Sequence, residues 1–277
     1  MRFRIRKYGS PLGVTILLAV LCLVFAFPFL WMFFASFKPD AAILIPFPLL
    51  PEHFDLRYYR GLLSGEWIPY RRQYLNSLFI ATFETLLATS FTCCAGYVFA
   101  KFQFRFKKIL FTLGVLAVLI PRQVLILPLF MWMNKLSLLD TPWAVILPAA
   151  ASGIGMLYFT AVFRRLPDTL LDMARCEGAG EYRVFLTALP LVKPALVAFA
   201  LIQFVLCWQE HLIPLVMLST GSKLTVTIGL ASLNAGNIRV PYGLLLAGCT
   251  LTLIPTALFF ALAHRHFRSA LSRLTEA

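Results

Sequence analysis

Residues 166–194 read LPDTLLDMARCEGAGEYRVFLTALPLVKP. This is the longest polar interruption in the second half of an otherwise apolar chain, with Arg164 and Arg165 leading into it. Pro167 suits the first turn of a helix, where its missing N–H costs nothing. Asp168 and Asp172 lie toward one end and Arg175 toward the other, the signs that a helix dipole favours. Leu170, Met173, Ala174 and Glu177 recur at helical spacing, and Gly178 suits a C-terminal cap that needs positive φ. A second short helix is predicted from Glu181 to Leu189, with Tyr182, Phe185, Leu186 and Leu189 on one stripe and Pro190 and Pro194 ending it. Two readings of the segment stand at this point: an amphipathic loop lying on a membrane surface, or a docking element for a soluble partner.

The surrounding composition belongs to a membrane protein. Hydrophobic residues make up 60% and charged residues 13%, with a mean hydropathy of +0.81. A soluble chain carries about 25% charged residues. Six stretches reach the roughly 20 apolar residues needed to cross hydrocarbon, at about 14–34, 77–100, 109–133, 143–163, 195–218 and 242–263. No two-residue alternation recurs at barrel spacing. The expected fold is an all-α integral membrane protein of six transmembrane helices. A basic N-terminal segment (1–13) precedes one transmembrane domain (14–277), with an external loop at 36–75 and a cytoplasmic loop at 164–194.

Basic residues set the orientation. With the N-terminus inside, 16 of the 25 Lys and Arg fall on cytoplasmic segments, including Arg2, Arg4, Arg6, Lys7, Lys101, Arg105, Lys107 and Lys108. Short external connections carry Lys135, Lys223 and Arg239, and the long external segment counts less in the positive-inside rule. Both termini are therefore expected in the cytoplasm. The net charge of +13 is spread over membrane-flanking segments, which leaves no basic domain for nucleic acid. The first apolar run exceeds a signal-peptide core and lacks a small-residue cleavage pattern, so an uncleaved span is expected.

Soluble chemistry is missing from the pattern. The six cysteines show no C-x-x-C spacing and read as packing residues, and His264 and His266 read as a wetted helix end. No phosphate-binding glycine loop, H-E-x-x-H or G-x-S-x-G is present. The chain is not expected to be an enzyme, and an energised transporter built from it needs its ATPase on another polypeptide. Glu84, Arg122 and Glu210 are costly in lipid and should face protein or water. Counting about 1.5 Å per residue places Arg122 roughly 20 Å and Glu210 roughly 24 Å above the cytoplasmic end. An ion pair of Arg122 with Glu84 or Glu210 is thus possible, either locking the packing or a subunit interface, or meeting solute. Asn76, Gln203 and Gln209 join them as candidate pore or interface groups.

At 172–194 the pattern resembles the EAA loop of permease subunits of binding-protein-dependent ABC importers, E-A-A-x-x-D-G-A followed by P-x-x-x-P. Asp172, Met173, Ala174, Glu177, Gly178, Ala179, Pro190 and Pro194 occupy its positions, departing at three of them (Asp172 for Glu, Met173 for Ala and Glu177 for Asp) with acidic charge kept at both acidic sites. Ser36–Pro39, Tyr74–Ser77, Gly96–Phe102, Pro121–Gln123, Ile126–Leu129, Leu138–Thr141 and Trp208–His211 resemble the carbohydrate branch, and so the shorter permease of maltose-type transporters. Ser269–Arg273 departs from that branch's usual ending. The resemblance implies half of a translocation pore beside a second homologous permease. It also implies an ABC ATPase dimer carrying ATP and Mg, an extracytoplasmic solute-binding protein delivering sugar, and a bacterial or archaeal plasma (inner) membrane. No cofactor is expected on this chain. The coupling residues would be Asp172, Ala174, Glu177, Gly178, Ala179, Phe185, Pro190 and Pro194. Polyol, glycerol phosphate or another small solute is the alternative cargo. A secondary transporter is remoter, since no inverted repeat is apparent.

Overall fold

A computed structural model describes residues 11–45, 48–235 and 240–275, all of whose regular elements are helical. In chain order they are α1 (Pro11–Ala35), α2 (Asp40–Ile43), α3 (Arg57–Ser64), α4 (Tyr70–Lys101) and α5 (Lys107–Leu119). A 3-10 turn at Arg122–Leu125 leads to α6 (Ile126–Lys135), α7 (Pro142–Ala150), α8 (Gly153–Arg164) and α9 (Asp168–Cys176). Then follow α10 (Glu181–Trp208), α11 (Leu212–Met217), α12 (Val226–Ala235) and α13 (Tyr242–Thr275). Residues Arg2–Lys7 and Arg239, part of the charge argument, lie outside the described residues.

Four helices are long and apolar enough to cross a membrane: Leu12–Ala35, Tyr70–Lys101, Glu181–Trp208 and Tyr242–Ala261. Two bent pairs, Lys107–Leu119 with Arg122–Lys135 and Pro142–Ala150 with Gly153–Arg164, bring the number to six if each pair is one span. Three expected boundaries need correction. The stretch 109–133 is broken by a 100° bend. Ile120 precedes Pro121 and takes an extended ψ of 118°, because the proline ring disfavours helical geometry in the residue before it. The stretch 143–163 bends by 43° at Ala151–Ser152, where the Ser152 hydroxyl accepts the Gly155 N–H at 3.1 Å and starts a new helix. The stretch 195–218 is displaced: its helix begins at Glu181, runs through Pro190 and Pro194, and ends at Trp208. The expected short helix at 181–189 is thus the first part of α10. Each proline removes one N–H, whereas unwinding the helix there would strand several backbone groups.

The chain divides into two units. One comprises residues 1–68 and 233–251. In it the Asp40 carboxylate accepts the Tyr58 hydroxyl at 2.9 Å and the Gly243 N–H at 3.1 Å, so α2 is tied to α3 and to the start of α13. Ser36 and Lys38 are buried; Ser36 shares a hydrogen bond with the Tyr59 hydroxyl at 2.6 Å, and Lys38 donates to the Pro48 carbonyl. The 36–39 motif therefore organises the segment that follows the first span.

The second unit comprises residues 69–232 and 252–277 and is built around α4, which packs on α7, α8 and α10. Small residues permit the closest approach. A Cβ on Gly96 would stand 2.8 Å from the Phe159 carbonyl carbon and the Thr160 nitrogen, so α4 and α8 touch backbone to backbone. At Gly155 the Phe199 ring and the Thr92 side chain fill the same kind of space. Toward the Lys101 end a core of Tyr97, Phe159, Phe163, Leu171, Val184, Ala188, Val192 and Phe199 joins α4, α8, α9 and α10. Leu171 comes from α9, so the segment at 166–194 is seated on the bundle rather than lying loose.

Candidate functional site

The segment starts where Pro167 stands as the residue before α9, in extended geometry (ψ 132°), not inside its first turn as expected. Lys101, at the end of α4, reaches across with its Nζ 2.7 Å from the Leu166 carbonyl and 2.6 Å from Asp168 Oδ1. The lysine side chain is nearly buried, and its hydrogen bond and positive charge hold the Asp168 carboxyl below its ordinary range. α9 ends as Gly178 predicts. At φ +83° Gly178 donates to the Arg175 carbonyl at 2.9 Å, and Ala179 donates to the Ala174 carbonyl at 3.0 Å. These two bonds make the left-handed cap that reverses the chain between α9 and α10. Arg175 bridges the reversal, with Nη1 2.7 Å from Asp172, and Nε and Nη2 at 2.8 and 3.2 Å from the two Glu181 oxygens. Those carboxylates push the guanidinium pKa up, Glu181 first and Asp172 second.

The expected coupling residues divide by face. Glu177 and Gly178 are exposed, Ala174 and Ala179 are half-buried against the core, and Asp172 is engaged by Arg175. Phe185 turns inward, its ring centroid 5.0 Å from Tyr97, so the expected stripe of Tyr182, Phe185, Leu186 and Leu189 is not one surface. The stripe that α10 buries is Val184, Ala188 and Val192, while Tyr182 and Leu186 are exposed. Pro190 and Pro194 are internal to α10. Three anchors were missed by sequence reasoning: Leu171, Lys101 and Arg175. Leu171 and Ala174, at i and i+3, carried a usable signal for the buried face. The outer surface left on α9 and the start of α10 includes Leu170, Met173, Glu177 and Tyr182.

The polar groups within the spans fall into three hydrogen-bonded or charge-paired sets, and the Glu84 set lies within electrostatic reach of Arg122 and Glu210. Glu84 on α4 is buried and accepts Gln203 Nε2 at 3.0 Å and the Cys207 thiol at 2.7 Å, both from α10. Arg122 does not pair with it; its Nη1 lies 4.0 Å from Glu210 Oε2. Glu210 Oε1 accepts the N–H groups of His211 and Leu212 at 3.1 and 3.0 Å, stopping α10 and opening α11. Asn76 donates to the Ser222 and Leu224 carbonyls and fixes that loop, and Gln209 is exposed at the end of α10. Among the described residues no group of three or more His, Cys, Asp or Glu could hold a metal ion. What the described residues offer is a seated surface helix and paired charges at helix breaks.

Residues 93–273, which contain α9, its cap and both breaks, match the family of binding-protein-dependent transport system inner membrane components. The chain belongs to this family. This permease is 33% identical over 272 residues to the arabinooligosaccharides transport system permease protein AraQ of Halalkalibacterium halodurans, covering 94% of each chain. It is 30% identical over 269 residues to the sn-glycerol-3-phosphate transport system permease protein UgpE of Yersinia pestis bv. Antiqua, covering 94% of this chain and 95% of that one. The lactose transport system permease protein LacG of Rhizobium radiobacter is 32% identical over 193 residues, covering 69% and 70%. The permease also shares its fold with a chain in the crystal structure of a bacterial ABC transporter involved in the import of the acidic polysaccharide alginate. That match has a TM-score of 0.83 at 19% identity and covers 95% of this permease and 100% of that chain. It is thus a multi-pass membrane component of an ABC transporter, with the all-helical architecture of an importer permease.

Proposed function

We propose that this permease forms half of the translocation pore of an ATP-driven, binding-protein-dependent sugar importer, and that α9 is the helix through which an ATPase subunit moves it. Six spans with both termini in the cytoplasm put α9 and its cap on the side where ATP is hydrolysed. ATP and Mg belong to the ATPase dimer, and the second half of the pore to a homologous permease. Asp172, Ala174, Glu177, Gly178, Ala179, Phe185, Pro190 and Pro194 then belong to the coupling element, with Phe185 acting through its seat under Tyr97.

One observation carries the reading. α9 is a nine-residue helix fixed to the bundle by Leu171, Lys101 and Arg175, while Leu170, Met173 and Tyr182 stay exposed beside Glu177. A rigid helix offering apolar anchors and one acid fits a cleft on a partner and moves as a body when the cleft moves. Relatives named for arabinooligosaccharides and lactose favour a neutral saccharide as cargo. The glycerol 3-phosphate relative supports a small phosphorylated polyol as the second reading.

The test is reconstitution in proteoliposomes with the partner permease, the ATPase dimer and the binding protein, and import assayed for arabinotriose, lactose and glycerol 3-phosphate. Import should require ATP. Gly178→Pro and Glu177→Lys should abolish it. Unchanged transport and ATPase assembly in both variants would sink the coupling assignment, and uptake without any ATPase would sink the importer.

A further inference from the structure

Arg122 and Glu210 stand where two apolar runs break. Arg122 opens the 3-10 turn at the 100° bend between α5 and α6, and Glu210 lies in the gap between α10 and α11. The two Glu210 oxygens have different tasks. Oε1 is held by the His211 and Leu212 N–H groups, which fixes the side chain, and Oε2 is turned toward Arg122. Yet the separation from Arg122 Nη1 is 4.0 Å. Charge pairs that lock structure close to about 2.7–2.9 Å, as Arg175 does with Asp172 and Glu181 in this same chain. The Arg122 side chain is 51% exposed and that of Glu210 is 24% exposed. Turned to hydrocarbon, a charged arginine costs about 2.5–3.5 kcal/mol or more, so this face belongs against protein or water, and a pair left open at 4.0 Å has room for a polar guest.

We propose that Arg122 and Glu210 form a solute-reading pair on the translocation path, gripping one hydroxyl of a neutral saccharide between guanidinium and carboxylate; this rests on the importer reading above. An oxygen about 2.8 Å from both Nη1 and Oε2 closes a triangle on the 4.0 Å edge, with an angle of about 90° at that oxygen. Neither side chain has to move. A hydroxyl fits because it accepts from the guanidinium while donating to the carboxylate. An anionic group can only accept and is repelled by Glu210; a cation can only donate and is repelled by Arg122.

The experiment uses the assembled transporter with Cys22, Cys94, Cys176 and Cys249 replaced by Ala. Arg122→Cys is treated with a membrane-impermeant methanethiosulfonate, and Leu127→Cys, an exposed apolar position on α6, is the reference. Modification at 122 should run at least about tenfold faster than at 127. Whichever of arabinotriose and lactose is imported should slow it at saturating concentration, since Glu210 and the rest of the path are intact in this variant. Separately, Glu210→Gln should raise the KM for that saccharide about tenfold, as expected for a lost hydrogen bond to a charged group, with kcat within about twofold. No modification at 122, modification that saccharide does not slow, or an unchanged KM overturns the inference while importer and coupling assignments stand. Failure to import either saccharide overturns the sugar reading and this inference with it.

Discussion

The backbone contact of α4 with α8 at Gly96 gives a quantitative expectation. An added Cβ would lie 2.8 Å from the Phe159 carbonyl carbon and the Thr160 nitrogen. The Phe159 Cβ lies closer still, and carbon contacts relax to about 3.5–4.0 Å, so Gly96→Ala has to part α4 and α8 by more than about 0.7 Å. Both obstacles are backbone and neither can swing away. Overpacking costs about 1–3 kcal/mol, and a backbone clash takes the upper value. Alanine returns about 1 kcal/mol through its better helix propensity, leaving a loss of about 2 kcal/mol. Gly114→Ala is the matched control. Its Cβ would meet the end of the Met156 side chain, with Sδ at 3.1 Å. Turning that side chain costs about 0.5–1.5 kcal/mol and the propensity gain offsets it, so the net change is close to zero. At about 2–4 °C per kcal/mol for a domain of this size, Gly96→Ala should unfold roughly 4–8 °C below Gly114→Ala. The measurement is thermal unfolding of the purified permease in detergent, followed by tryptophan fluorescence. Equal melting temperatures for the two variants would refute the backbone-contact reasoning.

Other expectations rest on different physics. Gly178 has φ +83° and nothing within 4 Å of an added Cβ, so Gly178→Ala should cost only the left-handed penalty of about 1–2 kcal/mol. Asn, which tolerates that region, should cost less than Ala; hydrogen-exchange protection of the Ala179 amide gives the order, and a reversed order contradicts the cap. Glu84→Gln keeps an acceptor for its α10 donors, whereas Glu84→Leu leaves the Gln203 amide buried and unpaired. The leucine variant should therefore be less stable than the glutamine variant by about 1–3 kcal/mol in the same melting assay, and equal stabilities would refute this. Asp140 clamps the loop at 218–223: it accepts Lys223 Nζ at 2.8 Å, the Ser219 and Thr220 N–H groups at 3.0 Å and the Thr220 hydroxyl at 2.7 Å. These bonds, Lys223 foremost, hold its pKa below the ordinary 3.8. Its contribution is thus complete above the unfolded value and is lost only as pH falls through the lower folded one. Exchange protection of Ser219 and Thr220, corrected for intrinsic rates, should stay flat from pH 8 to pH 5; a loss centred near pH 6 would contradict the clamp.

Local requirements were legible in the sequence, and directions around a helix were not. Gly178 announces its left-handed cap because the demand lies on one residue's backbone. The membrane class follows from composition, since no arrangement of these side chains could clothe a soluble surface. Proline was ambiguous: Pro121 breaks a span, while Pro190 and Pro194 lie inside α10. What stops α10 is the Glu210 carboxylate, which offers the next N–H groups a partner outside the helix. Residue counting gave the heights of Arg122 and Glu210 but not the direction in which either, or Glu84, faces around its helix. Glu84 faces Gln203 and Cys207, which leaves Arg122 to Glu210. Phe185 points inward because Tyr97 and Phe163 supply an aromatic seat from α4 and α8, and that neighbourhood exists only once the bundle has formed.

In mechanical terms, under the coupling proposed above, α10 would serve as a push-rod with a flexure. It runs unbroken for 28 residues, about 42 Å, from the cap of α9 to the gap that holds Glu210. The prolines remove the ladder bonds to the Leu186 and Pro190 carbonyls, so that its one compliant zone lies nearer the α9 end. Beyond Pro194 the stiff arm is about 21 Å long. A bend of about 10° at the flexure would carry its tip through about 4 Å. That displacement is comparable to the 4.0 Å separation of Glu210 and Arg122, so under the coupling proposed above a small tilt near α9 would be felt at the charge pair.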